Sequence, residues 1–262
     1  VDRLVAAATE RYGRIDILVN NAGVIQGGPL GAMALEDFEE SMAVMFWGML
    51  YPIWAVLPQM LDRQSGRIVN ITSIGGRVGV PHLLPYVAAK FAAVGLSETL
   101  HAELAGQGVK VTTIVPGLMR TGSYLNAFFK GKQKAEFSIF SVLANAPFVT
   151  IDAEQAARQI VAAAKQGEAE RTLTLPAILL ARFHGLFPGL TAEILGLVAA
   201  LLPSAPGVGG GKKGGMEIRA RLDPPLDQLI RALTILGRRA AERFHQYPGP
   251  RSELDDPDAI TR

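Results

Sequence analysis

A parallel α/β sheet covered by helices on both faces is the fold class that this 262-residue sequence predicts, and three observations predict it. Short runs rich in β-branched residues alternate with longer stretches of helical period, the pattern of strands joined by crossover helices. Two of the strand runs are apolar almost throughout (Ile68, Val69 and Ile71; Val109, Val111, Ile114 and Val115), as a strand covered on both faces requires. With 49% hydrophobic and 19% charged residues, the chain has enough apolar side chain for a core, which excludes a disordered protein.

Residues 5–12 read as a helix closed by Gly13, where a left-handed cap is easiest. Strand runs follow at 15–21, 67–73, 109–115 and, more weakly, 171–175. Between them lie helical stretches at 35–63, 85–105 and 152–165. The last keeps Ala153, Ala156, Ile160 and Ala164 on one stripe, with Asp152 and Gln155 at the spacing of a capping pair. Residues 1–175 form one domain on this reading. An apolar helical cap is expected at 176–203, and a Gly/Pro-rich linker at 204–223. An amphipathic C-terminal helix follows at 224–246, and a polar tail at 247–262.

A formal charge of +2 is too small for the electrostatic footprint of nucleic-acid binding. The absence of cysteine excludes disulfides and thiolate metal sites and fits a reducing compartment. With no secretory signal in the opening residues, the expected location is cytoplasmic. The stretch 173–203 is interrupted by Arg182, His184, Pro188 and Glu193, too often for a spanning helix, so no transmembrane span is expected. Peripheral contact with a membrane stays open there, with folding over a pocket as the first expectation. The glycine run before Lys212 is no phosphate loop, because Pro206 stands in the place of the first glycine and Lys213 in that of the Ser or Thr. His101, His184 and His245 lack metal-ligand spacing, and no metal is assigned.

Three signals carry chemistry. Asn20-Asn21-Ala22-Gly23 ends a strand in two amides and a glycine, letting a ligand approach the backbone just past the strand's carboxyl end. Ser73 ends the next strand, Tyr86 follows 13 residues later, and Lys90 comes four residues after that, on the same helix face as Tyr86. A free phenol has a pKa of about 10, and moving it to neutrality takes roughly 4 kcal/mol, which an ammonium in a poorly solvated cleft can largely supply. A serine hydroxyl there would hydrogen-bond the oxygen on which charge grows when a carbonyl accepts hydride. The third signal is Pro116-Gly117 followed by Thr121, a rigid turn after an apolar strand, suited to a ligand amide or phosphate.

Together, Asn20-Asn21-Ala22-Gly23, Ser73, Tyr86-Val87-Ala88-Ala89-Lys90 and Pro116-Gly117 with Thr121 resemble the short-chain dehydrogenase/reductase family of the classical type, over about residues 1–175. The resemblance implies a Rossmann-like doubly wound sheet and hydride exchange between NAD or NADP and a small-molecule carbonyl or alcohol. It implies Tyr86 as acid/base and Lys90 as the group that lowers its pKa and holds the nicotinamide ribose, with Ser73 positioning the substrate oxygen. It places Asn20, Ala22 and Gly23 on the adenosine side, and Pro116, Gly117 and Thr121 at the nicotinamide amide and pyrophosphate. By analogy, the helices at 35–63 and 85–105 pair with their copies in a homodimer or homotetramer.

Two departures stand out. The family's glycine-rich opening turn does not precede Val1, so the cofactor half is expected to be truncated. Met45 also stands where the family has an asparagine that completes a proton relay, and a thioether lacks an amide's donors and acceptor. Phe128, Phe129, Phe137, Phe140 and Phe148 suggest an apolar pocket wall in a mobile segment at 121–149, hence a lipophilic substrate. A serine-hydrolase elbow fits less well, since Ile71 takes the place of its first glycine although Gly75 fills the second. The remaining alternative is an inactive binding or dimerisation module of the same fold.

Overall fold

The structure, a computed structural model, describes residues 1–204 and 211–247. Most of the predicted polar tail (247–262) and residues 205–210 of the predicted linker lie outside the described residues. In chain order the elements are α1 (Asp2–Tyr12), β1 (Ile17–Asn20), β2 (Gln26–Gly27), α2 (Leu35–Met42), α3 (Gly48–Asp62), β3 (Gly66–Ile71), α4 (Leu84–Glu103), β4 (Val109–Pro116) and β5 (Leu118–Arg120). There follow α5 (Ser123–Asn126), β6 (Phe128–Phe129), α6 (Gln133–Leu143), β7 (Thr150–Asp152), α7 (Ala153–Gln166), β8 (Glu170–Leu173), α8 (Leu175–Leu186) and α9 (Pro188–Ala200). The described chain ends with β9 (Lys213–Gly214), α10 (Gly215–Arg219), α11 (Pro224–Leu233) and α12 (Ile235–Arg243).

The main sheet has the order β1-β3-β4-β8, and every pairing is parallel. On one face, Met49, Ile53, Val56 and Met60 of α3 and Ala93 of α4 pack on Ile68 and Val111. On the other, Ala156 and Ala163 of α7 pack on Val69, Ile71, Ile114 and Leu173. This is the Rossmann-like, doubly wound α/β arrangement, with helices burying both sides of a parallel sheet. Asp152 caps α7 by accepting from the amides of Glu154 and Gln155, and Gly167 ends it at φ 68.

The helix expected at 35–63 is interrupted by a π-turn at Ala43–Trp47, whose Met45 is fully buried. A wide turn of this kind re-aims the helix, and hydropathy periodicity carries no sign of it. The amphipathic helix expected at 224–246 is two helices. Its break falls at Thr234, which is buried and whose hydroxyl donates to the Ile230 carbonyl. The predicted linker also holds β9 and α10, because Ile218 joins Tyr124, Phe129, Phe137 and Ile230 in a third apolar cluster outside the main sheet. Burial of one isoleucine, invisible to composition, orders that stretch.

Gly108, ahead of β4, shows how tightly the α4–β4 turn is built. Its φ is +77, and a Cβ there would lie 1.9 Å from the Gln64 carbonyl oxygen, a backbone atom that cannot swing away. Gly108→Ala is expected to destabilise the fold by about 2 kcal/mol or more, read as a lower urea midpoint at unchanged slope.

Candidate active site

A cavity of about 470 Å³ opens at the carboxyl ends of β1, β3, β4 and β8, the edge at which open α/β sheets bind ligands. Ser73, Tyr86 and Lys90 all line it, as do Gly23, Pro116, Gly117 and Thr121. Ser73 leaves β3 and caps a short 3-10 turn, its hydroxyl accepting from the Gly75 amide at 3.0 Å. Gly75 has a packing reason: a Cβ there would sit 3.2 Å from Cε1 of Tyr86, so the missing side chain lets the phenol ring lie close to the serine turn. Tyr86 and Lys90 come from the start of α4, opened by Pro85 in its first turn.

Lys90 is 4% exposed, its Nζ donates to the Ile71 carbonyl at 3.0 Å, and it lies 5.8 Å from the centroid of the Tyr86 ring. Burial lowers its pKa to about 8. The Tyr86 phenol moves the other way: burial pushes it above its ordinary range, and the facing Ser73 hydroxyl opposes this only in part. Sequence reasoning expects the ammonium to bring the phenol down. Here the ammonium is engaged with the Ile71 carbonyl, and burial decides the direction. Met45 adjoins the same spot, since a Cβ on Gly23 would lie 3.8 Å from Met45 Sδ and 3.9 Å from Lys90 Nζ.

Two of the expected residues lie elsewhere. Asn20 is buried in the sheet and donates to Asn70 Oδ1 at 2.8 Å, while Asn70 donates to Ser97 Oγ at 2.9 Å and Ser97 pairs with Thr113 at 2.6 Å. Strand alternation turns Asn20 inward and leaves Asn21 on the cavity wall. Ala22 is exposed and off the wall. Of the five phenylalanines, Phe140 lines the cavity, Phe129 and Phe137 fill the third cluster, and Phe148 is 96% exposed.

Sequence reasoning misses Thr174. It adopts φ 85, uncommon for a β-branched residue, accepts from the Ala177 amide to open α8, and faces Gly117, where a Cβ would meet its hydroxyl at 2.5 Å. It also misses Glu136. That carboxylate pairs with His82 Nδ1 at 2.9 Å and ties α6, whose Phe140 and Leu143 line the cavity, to the loop before α4. His82 itself is off the wall. Burial raises the Glu136 pKa, and His82 opposes the rise.

Among the described residues, the wall carries no carboxylate and no arginine, and no group of three metal-ligating side chains occurs. Asn21 and Lys90 offer hydrogen-bonding side chains beside the open backbone of Gly23 and the close-packed Gly117, while the Thr121 hydroxyl donates to Ser123 Oγ at 2.9 Å. That donor set, at the end of a parallel sheet, fits the nicotinamide-ribose half of a dinucleotide.

Comparisons with known proteins agree with this geometry. The family model described as short chain dehydrogenase matches residues 1–128. A solved short-chain dehydrogenase from Streptomyces avermitilis is 30% identical, covers 76% of this chain with 74% of its own length, and superposes with a TM-score of 0.63. The chain belongs to the short-chain dehydrogenase family. A gluconate 5-dehydrogenase from Burkholderia cenocepacia, solved in complex with NADP and tartrate, is 27% identical over 66% of this chain and 68% of its own, with a TM-score of 0.55. A 3-oxoacyl-[acyl-carrier-protein] reductase of Synechocystis is 40% identical over 121 residues, 46% of this chain and 49% of the relative. A putative ketoacyl reductase of Streptomyces coelicolor is 42% identical over 123 residues, 46% of this chain and 47% of the relative. The chain thus spans about half the length of these sequence relatives.

Proposed function

We propose that this protein is a cytoplasmic oxidoreductase that exchanges hydride between NAD or NADP and a neutral, lipophilic carbonyl or alcohol. The observation that carries the reading is that Ser73, Tyr86 and Lys90 share one cavity whose other walls are largely apolar. The relatives named as reductases and the neighbour solved with NADP support it. The nicotinamide, when bound, supplies or accepts the hydride. Ser73 hydrogen-bonds the substrate oxygen, and Tyr86 gives a proton to it in reduction or takes one in oxidation. Lys90 would hold positive charge beside that exchange and would bind the nicotinamide ribose; Asn21, Gly23, Pro116, Gly117 and Thr121, which line the same cavity, would border the cofactor.

The reading includes self-association. Trp47 and Tyr51 stack at 5.6 Å on the outer side of the bent helix, Trp54 is 74% exposed one turn on, and Phe91 of α4 is exposed as well. Aromatic clusters of this kind favour a partner surface, here a second copy of the same helices.

The test is reduced-nicotinamide consumption with a ladder of ketones and aldehydes of increasing chain length. Turnover should rise with apolar length, and Ser73→Ala should lower kcat about 100-fold. Ester hydrolysis lost in Ser73→Ala yet kept in Tyr86→Phe would put a hydrolase in its place.

A further inference from the structure

The helical hairpin of α8 and α9 presents an apolar surface that the rest of the described chain leaves uncovered. In α9, Thr191, Leu195 and Ala199 form the covered stripe, while Leu190, Ile194, Leu197 and Leu201 lie on one outer arc. Leu197 is 73% and Leu201 86% exposed, and Leu179 and Leu186 of α8 are exposed likewise. Across residues 175–202 the ionisable side chains are Arg182, His184 and Glu193.

We propose that this hairpin docks the protein onto the surface of a phospholipid bilayer, lying in the interface plane, and that the cavity draws its substrate from that membrane. Helices of 12 and 13 residues are about 18 and 20 Å long, short of the roughly 30 Å hydrocarbon core, so the hairpin cannot span. Charge selects the occupant. Arg77, Glu170, Arg171 and Arg182 are the charged residues lining a concavity of about 420 Å³ beside α8. Arg77 is spent on Glu98 and Glu170, and Arg171 on Glu168, whereas Arg182 has no carboxylate partner among the described residues. An unpaired guanidinium at the edge of an apolar row that carries few other ionisable side chains matches lipid phosphates above acyl chains better than a second protein surface.

The same helix reaches the active site. Pro176, Ala177 and Leu180 of α8 line the cavity that holds Ser73 and Tyr86, and Leu180 is at the same time 37% exposed. A lipophilic carbonyl or alcohol can therefore pass from acyl chains to the cavity along α8 without crossing water. The delivery part of the proposal rests on the oxidoreductase reading; the docking part does not.

The experiment is flotation of the full chain with vesicles of phosphatidylcholine and phosphatidylglycerol, together with turnover of a long-chain aldehyde held in those vesicles and of a short soluble one. The wild type should float. A variant carrying Leu179→Ser, Leu186→Ser, Leu197→Ser and Leu201→Ser should stay at the bottom with an unchanged circular-dichroism spectrum, and Arg182→Gln should lose most of its preference for phosphatidylglycerol. The fourfold variant should lose turnover of the vesicle-held aldehyde about tenfold or more and keep that of the soluble one. A wild type that stays at the bottom, or a variant that floats as well, overturns docking. A fourfold variant that becomes monomeric when a non-floating wild type is dimeric assigns the hairpin to a second copy instead. If the wild type turns over neither aldehyde, the oxidoreductase reading and delivery fall together, while flotation still decides docking.

Discussion

Tyr86→Phe, in the full chain, should lower kcat for nicotinamide-linked turnover by about 10³-fold while leaving the unfolding midpoint nearly unchanged. Phenylalanine keeps the ring that packs beside Gly75 and removes only the hydroxyl, so packing survives and the proton path does not. The direction of the phenol's pKa gives this result a pH signature. Because burial holds Tyr86 above its ordinary range, the hydroxyl is protonated at neutral pH and ready to donate. As far as Tyr86 decides it, reduction should hold level from pH 7 up to the ordinary phenol value of about 10, and oxidation should climb over the same range. Steady-state rates in both directions from pH 6 to 10 check this, and full turnover by Tyr86→Phe would remove the proposed acid/base.

Lys90→Met should abolish turnover and yet stabilise the protein. The ammonium is almost wholly buried with the Ile71 carbonyl as its hydrogen-bond acceptor, and burial lowers its pKa to about 8 from 10.5. The folded value lies below the unfolded one, so the folded chain binds this proton less tightly. The cost is full below pH 8 and is relieved as pH rises toward 10.5. The difference corresponds to about 3 kcal/mol, and leaving the Ile71 carbonyl unpaired returns about 1–2 of it. A net gain of about 1–2 kcal/mol at pH 7, or roughly 3–6 °C in Tm, is expected. Wild-type stability should also rise between pH 8 and 10.5 relative to the variant. A variant that melts lower at pH 7 would show that the ammonium is structurally stabilising.

The four main strands and α7 were legible because their signals are local: β-branched runs, period, and an Asp152 cap. The trio of Ser73, Tyr86 and Lys90 was legible for a related reason, since two of its members share one helix face and the third ends a strand. What escaped is decided by contacts distant in sequence. Strand alternation sends Asn20 inward and Asn21 outward, but a strand apolar on both faces gives no pattern from which to choose. The His82–Glu136 pair joins residues 54 positions apart, and Ile218 orders a glycine-rich stretch by inserting into a cluster built from residues 124–144 and the C-terminal helices. The cap expected at 176–203 covers the cavity with the first turns of α8 alone, and the remainder faces outward.

The buried line Asn20, Asn70, Ser97 and Thr113 has a further consequence. The central strands bury apolar side chains on both faces, so sliding one past its neighbour would still bury hydrocarbon, and burial alone ranks such misalignments as near-equals. The amide and hydroxyl line breaks that degeneracy, because a one-position slip of β3 breaks both bonds made by Asn70, and a slip of β1 or β4 breaks the bond of Asn20 or Thr113, leaving desolvated polar groups without partners. Ser73, Pro116 and Asn21 come to one rim because their strands have a single permitted alignment, enforced from inside the sheet by residues that lie off the cavity wall.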